Sequence, residues 1–172
     1  MIMDLFGFRN SCFGFSMGVA MPKVAVIMGS KSDMEVMQGA VDVLAKMALE
    51  PEIMIMSAHR QPEKVHAFCI SAREKGFEVI IAGAGAAAHL PGVIASWTTL
   101  PVIGVPIPSS ELKGIDSLYA IVQMPAGVPV ATMAIGAAGA KNAGYMAAQI
   151  LGLKYPEVAR AYDNFRTEQK GN

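Results

Sequence analysis

Charge is scarce in this chain. Only 16% of its 172 residues are Asp, Glu, Lys or Arg, against a common share of about 25%. The 14 basic and 14 acidic side chains cancel, and no basic block occurs, which argues against nucleic acid or an anionic membrane surface as a partner. Cysteine is scarcer still. Cys12 and Cys69 form no spaced set with the three histidines, which speaks against a disulfide framework and a zinc site and for a reducing, cytoplasmic setting. No uninterrupted apolar run reaches the roughly 18 residues of a membrane helix. Also missing are a Walker lysine motif, a nucleophile elbow, metal-ligand spacing of His, Cys and carboxylates, and an obvious pair of catalytic carboxylates.

Apolar residues, by contrast, make up 53% of the chain. The length suits one domain with a sizeable core. So much apolar surface with so little charge points to further burial in a homo-oligomer. Residues 1–20 carry Phe6, Phe8, Phe13 and Phe15, and Asp4 sits where a secretory signal would want positive charge. They show no order of a signal peptide and are set apart as an N-terminal extension to a single α/β domain over 21–172.

From Lys23 onward, strand and helix patterns alternate. Short apolar runs at 23–28, 52–56, 78–85, 101–105 and 128–135 read as strands. Between them, apolar residues recur at helical spacing: Met37, Ala40, Val41, Leu44 and Ala48 in one segment, then Val65, Phe68, Cys69 and Ala72 in another. Pro62 suits the first turn of the latter helix, which runs to about Lys75 before Gly76 stops it. Further helices are expected near 87–98 and 116–122, then through the Ala-rich segment after Gly136, and from Pro156 to the end. Near-continuous apolar strands separated by helices imply a parallel sheet covered on both faces. The expected fold is a three-layer α/β/α, flavodoxin-like five-stranded parallel sheet with a C-terminal helix. Trp97 and the Met-rich positions read most simply as core, and His66 as a plain helix residue.

In such a sheet, ligands bind beyond the carboxyl ends of the strands, so the loops there are the candidates for chemistry. After the first strand, Gly29-Ser30-Lys31-Ser32-Asp33 offers hydroxyls and backbone N–H groups at a helix entrance, suited to an anion or simply to a helix cap. After the second come Ser57, His59 and Arg60. Arginine's planar fork matches phosphate, and histidine exchanges protons near neutral pH. After the third, Gly83 to Gly92 lets backbone approach a ligand and presents His89. Gly83-x-Gly85-x-x-Ala88 imitates a dinucleotide fingerprint, but it follows the third strand and no acidic residue ends the next one. The segment from Gln123 to Gly144 suits close helix or subunit packing, although Gly127 and the Met124-Pro125 turn could also line a flat ligand. One anion clamp, one or two imidazoles and glycine walls suit proton transfer on a small phosphorylated molecule.

Six blocks in order, VAVIMGSKSD, SAHRQP, IIAGAGAAAHLPGVIA, LPVIGVP, GIDSLYAIVQMPAGVPVATMAIG and AKNAGYMAAQIL, make the chain resemble the catalytic subunit of bacterial phosphoribosylaminoimidazole carboxylase. The similarity is to the class I PurE family, the N5-carboxyaminoimidazole ribonucleotide mutases, over about Lys23 to Leu151. It implies an isomerase of de novo purine biosynthesis that moves a carboxylate from the exocyclic nitrogen to ring carbon 4 of an aminoimidazole ribonucleotide. It further implies no metal, no ATP or other cofactor, and an octamer.

Under that resemblance Ser30, Ser32, Asp33, Ser57 and Arg60 contact the nucleotide, Ser57 and Arg60 at its phosphate and Asp33 at its ribose. His59 protonates the leaving nitrogen and later removes the proton from ring carbon. His89, with Gly83, Gly85 and Ala86, shapes the carbon dioxide pocket. The chain departs from the family at Ala86, where a second glycine is usual. The extra methyl either narrows the pocket or faces the core. Two other functions compete with this one, a carboxylase using free carbon dioxide and a flavodoxin-like module that binds a flavin or nucleotide without catalysis.

Overall fold

A computed structural model describes residues 21–109 and 111–171, and the N-terminal extension lies outside the described residues. Five strands form one all-parallel sheet: β1 (Lys23–Met28), β2 (Pro51–Ile55), β3 (Phe77–Gly85), β4 (Val102–Ile107) and β5 (Ala131–Thr132). Their order is β2-β1-β3-β4-β5, the doubly wound, flavodoxin-like arrangement, whose strand order reverses between β1 and β3. The helices are α1 (Met34–Lys46), α2 (Pro62–Ser71), α3 (Leu90–Trp97), α4 (Ile115–Val122), α5 (Ala137–Gly152) and α6 (Pro156–Gly171).

The three layers follow from the two-residue period of a strand. Val24, Val26 and Met28 of β1 point to one side and pack with α1, α5 and α6 residues, among them Met37, Leu44, Ala143, Ala147 and Val158. Ala25 and Ile27 point to the other side and meet α2, α3 and α4 through Val65, Phe68, Ile94 and Ile121. β3 divides the same way, with Val79 and Ile81 on the first side and Ile80 and Ala82 on the second. Each fully buried aliphatic side chain contributes about 1.5–3 kcal/mol.

Three expected elements differ in extent. The fifth strand was expected over 128–135, and only Ala131 and Thr132 pair with β4. Pro129 has no N–H for a ladder and β5 has a neighbour on one side alone, so little holds the rest in register. The third helix starts at Leu90 rather than near 87, because Ala86 has φ +50°, which no helix accommodates, while Pro91 suits a first turn. The second helix ends at Ser71 and passes through turns to Gly76, whose φ is +85°. Trp97 is not core: it is 50% exposed and meets the His66 ring edge-on at 4.3 Å. Met28, Met37, Met47 and Met56 are buried as expected.

Candidate active site

The β1–β2 pairing brings two of the candidate loops together. The ladder runs on past β2 through the Met56 N–H, which donates to the Met28 carbonyl at 2.9 Å, so the chain leaves both strands at one height. Beyond β1, Ser30 caps the short turn Lys31–Asp33. Its hydroxyl accepts from the Ser32 N–H, and the Asp33 carboxylate accepts from the Ser30 N–H at 3.0 Å, a reciprocal capping box. The Ser32 hydroxyl donates to the Ser30 hydroxyl at 2.9 Å. Beyond β2, the buried Ser57 hydroxyl accepts from the Arg60 N–H at 3.3 Å and the Ser57 carbonyl accepts from the Gln61 N–H at 2.9 Å. That turn aims His59 and Arg60 outward. The Arg60 guanidinium then donates to the Gly29 carbonyl at 2.8 Å, tying the second loop to the first.

The third loop closes the site from the other side of β1. His89 stands at the N-cap of α3, and its Nδ1 lies 2.9 Å from the Nε2 of His59. The rings are close to perpendicular at 84°. Together the loops enclose a cleft of about 370 Å³. Ser30, Ser32, Asp33, Ser57, His59 and Arg60 form its polar side, and Ala84, Gly85, Ala87 and Leu90 form an apolar wall on the β3 side. A second hollow, reached past Arg60, adds Lys31, Ile55 and Gln61 to its lining.

Asp33 is 8% exposed. Burial pushes its carboxyl above the ordinary value, and hydrogen bonds from Ser30, Ser32 and Gly29, with the Arg60 charge, pull it part of the way back. A buried carboxylate that keeps accepting from backbone and hydroxyls is rigid, and rigid acceptors suit sugar hydroxyls. Arg60 supplies the fixed cation. The cleft can thus hold an anion at one end, exchange a proton in the middle through an imidazole, and shelter a small uncharged molecule against the apolar wall.

Of the residues nominated from sequence, Ser30, Ser32, Asp33, Ser57, His59, Arg60, Gly85 and His89 line this cleft. Gly83 and Ala86 are absent from its wall. Gly83 is glycine because Met37 lies behind it: a Cβ there would fall 2.3 Å from the Met37 sulfur. Ala86 is exposed in a left-handed conformation, so its methyl neither faces the core nor narrows the cleft. Gly127 lines a separate hollow with Val128 and Pro129, away from the imidazoles. Ser109 lines the cleft as well and is not among the nominated residues. Its signal was its position, in the loop that leaves the carboxyl end of β4. Among the described residues no group of three or more His, Cys, Asp or Glu side chains gathers as a metal site would, and Cys69 is buried with its thiol pushed up to about 11 by burial.

Comparison with known proteins follows the same line. Residues 23–172 match the family model described as AIR carboxylase. An N5-carboxyaminoimidazole ribonucleotide mutase of Thermotoga maritima is 56% identical over 150 residues, covering 87% of this chain and 86% of the relative. That of Aquifex aeolicus is 60% identical over 142 residues, covering 83% and 84%. Among solved structures, Treponema denticola PurE superposes with a TM-score of 0.77 at 27% identity, covering 87% of this chain and 92% of that one.

Proposed function

This chain belongs to the AIR carboxylase family and is an enzyme of the N5-carboxyaminoimidazole ribonucleotide mutase kind, and we propose that it works at the His59 cleft. The observation that carries the reading is the placement of one imidazole between an anion clamp and an apolar wall. The substrate is a small nucleotide. Its phosphate lies against Ser57 and Arg60 and its ribose against Asp33, with Ser30 and Ser32 beside them. The aminoimidazole then reaches the imidazole pair.

The chemistry follows from that pose. His59 gives a proton to the exocyclic nitrogen as its bond to the carboxyl carbon breaks, leaving a free amine and carbon dioxide. The apolar wall of Ala84, Gly85, Ala87 and Leu90 shelters carbon dioxide without solvating it. Ring carbon 4 attacks, forming the new carbon–carbon bond, and its surplus proton returns to His59. One imidazole acts first as acid and then as base, so the proton count closes over a cycle. His89 holds the His59 ring through the bond between their nitrogens.

We also propose a homo-octamer in the cytoplasm. The exposed Ile53, Ile70, Trp97, Tyr119 and Leu153 support oligomer formation, as does the low charge of the chain. No helix among the described residues is long and apolar enough to cross a membrane.

The test is a coupled assay of the carbamate nucleotide, run without metal or ATP, on wild type and on His59→Asn. Turnover by wild type, and a kcat lower by about 10²–10⁴ in a folded variant, is the expected result. A wild type that consumes only aminoimidazole ribonucleotide and bicarbonate would make it a carboxylase, and a yellow protein with a flavin spectrum and no turnover would make it a binding module.

A further inference from the structure

The apolar wall of the cleft carries one hydroxyl. Ser109, two residues beyond β4, lines the cleft with Gly85, Ala87, His89 and Leu90. β3 and β4 pair as far as Gly85 and Ile107, and the Ser109 N–H donates to the Ile107 carbonyl at 2.9 Å. This tight turn folds Ser109 back over the sheet edge. Its Oγ then sits where a side chain on Gly85 would be, since a Cβ built there would lie 1.8 Å from it. Residue 85 is glycine because the Ser109 hydroxyl takes its space. The other hydroxyls of the cleft, on Ser30, Ser32 and Ser57, leave β1 and β2 and lie across the cleft from it. They take part in the capping turn and the Ser57 turn, and in the proposed pose they serve the phosphate and ribose end of the substrate.

We propose that the Ser109 hydroxyl is a substrate contact that donates a hydrogen bond to the carboxylate in transit. The inference rests on the mutase reading of the cleft. In that reaction the carboxyl group is anionic on the nitrogen, uncharged as carbon dioxide, and anionic again on the ring carbon. Fixed charge at its pocket would bind both anionic ends more tightly than the intermediate and raise the barrier between them. A neutral donor has the same bias in much weaker form. It holds one carboxyl oxygen at either end, and its O–H can rotate to follow that oxygen as the group moves. In the otherwise apolar wall it also keeps carbon dioxide oriented towards the ring carbon.

Ser109→Ala in the full chain tests this, with steady-state kinetics on the carbamate nucleotide in ¹³C-bicarbonate. Loss of one hydrogen bond to a carboxylate that is already anionic in the bound substrate predicts a KM higher by about 10- to 100-fold, with kcat changed by less than about threefold. It also predicts label in the product, because carbon dioxide held loosely escapes and exchanges before capture. Wild type should exclude the label, and Ser109→Thr, which retains the hydroxyl, should restore exclusion. Gly85→Ala, which displaces the hydroxyl without removing it, leaks label as Ser109→Ala does. A Ser109→Ala variant with wild-type KM would overturn the proposal, as would one that keeps label out of its product. A wild type without turnover would overturn the mutase reading and this inference with it.

Discussion

The Nε2 of His59 and the Nδ1 of His89 face each other at 2.9 Å, although one residue follows β2 and the other follows β3. Two nitrogens that close share one proton, one donating and the other accepting, so the state of either ring sets what the other can do. We expect His59→Asn to lower kcat by about 10²–10⁴, the usual weight of a general acid–base, with its circular dichroism and subunit assembly unchanged. His89→Asn keeps a hydrogen-bonding head and should lose roughly tenfold. Equal losses in the two variants would show that the proton role is not His59's alone.

Arg60 reaches across to the Gly29 carbonyl, so it joins the two loops as well as presenting charge. Arg60→Ala should weaken nucleotide binding by about 10- to 100-fold and leave binding of the unphosphorylated nucleoside nearly unchanged. Calorimetry with both ligands checks this. A parallel loss for nucleoside and nucleotide would show Arg60 acting through its tie to Gly29 and not at the phosphate.

Asp33 trades stability for its place in the cleft. Its carboxyl lies above the ordinary value of 3.8, chiefly through burial. A carboxyl raised in the folded state binds its proton more tightly there than in the unfolded chain. Stability therefore declines as pH rises from 3.8 through the raised value, and the deficit persists at neutral pH. Asp33→Asn should resist urea better than wild type at pH 7 and bind nucleotide less well. The stability difference should close in acid, below both values. An Asn variant less stable than wild type at neutral pH would count against the burial cost.

Glu78 has the opposite sign. Burial would raise it, but the Tyr155 hydroxyl and Lys154 ammonium, both hydrogen-bonded to its Oε1, outweigh burial and leave it below the ordinary 4.5. Its contribution is fully present above 4.5 and is lost as pH falls through the lowered value. The bond from Tyr155, itself 4% exposed, pins the junction of α5 and α6 to the start of β3. Glu78→Gln should cost about 1 kcal/mol at neutral pH, read by urea unfolding, and the cost should shrink as pH falls through the lowered value.

Ala86 holds φ at +50°, a conformation that costs an alanine about 1–2 kcal/mol. Glycine removes that strain but gives back part of it in unfolded-chain entropy. Ala86→Gly should therefore raise the melting temperature by about 2–4 °C with little change in kcat, because the methyl is outside the cleft. A marked change in kcat would return residue 86 to the active site.

The sequence by itself determined the layers and nominated most of the polar residues that line the cleft. Runs such as KVAVIM and EVIIAGAG are apolar on both faces, so they can only be covered strands, and the loops after them carry the few polar residues that the composition allows. The strand-end rule then nominates Ser57, His59 and Arg60 before any coordinate is known.

What local pattern does not contain is who stands behind whom. Gly83 and Gly85 look alike in the sequence and, two residues apart, face the same side of β3, yet a different neighbour stands over each. Gly83 makes room for Met37 of α1, and Gly85 makes room for Ser109 beyond β4. Likewise, the β5 run is apolar enough for a long strand, and its length was decided by Pro129 and by an edge with one neighbour. Only the tertiary structure brought His59 to His89 and folded Ser109 over the wall, because these contacts join segments whose separation along the chain carries no periodic signal.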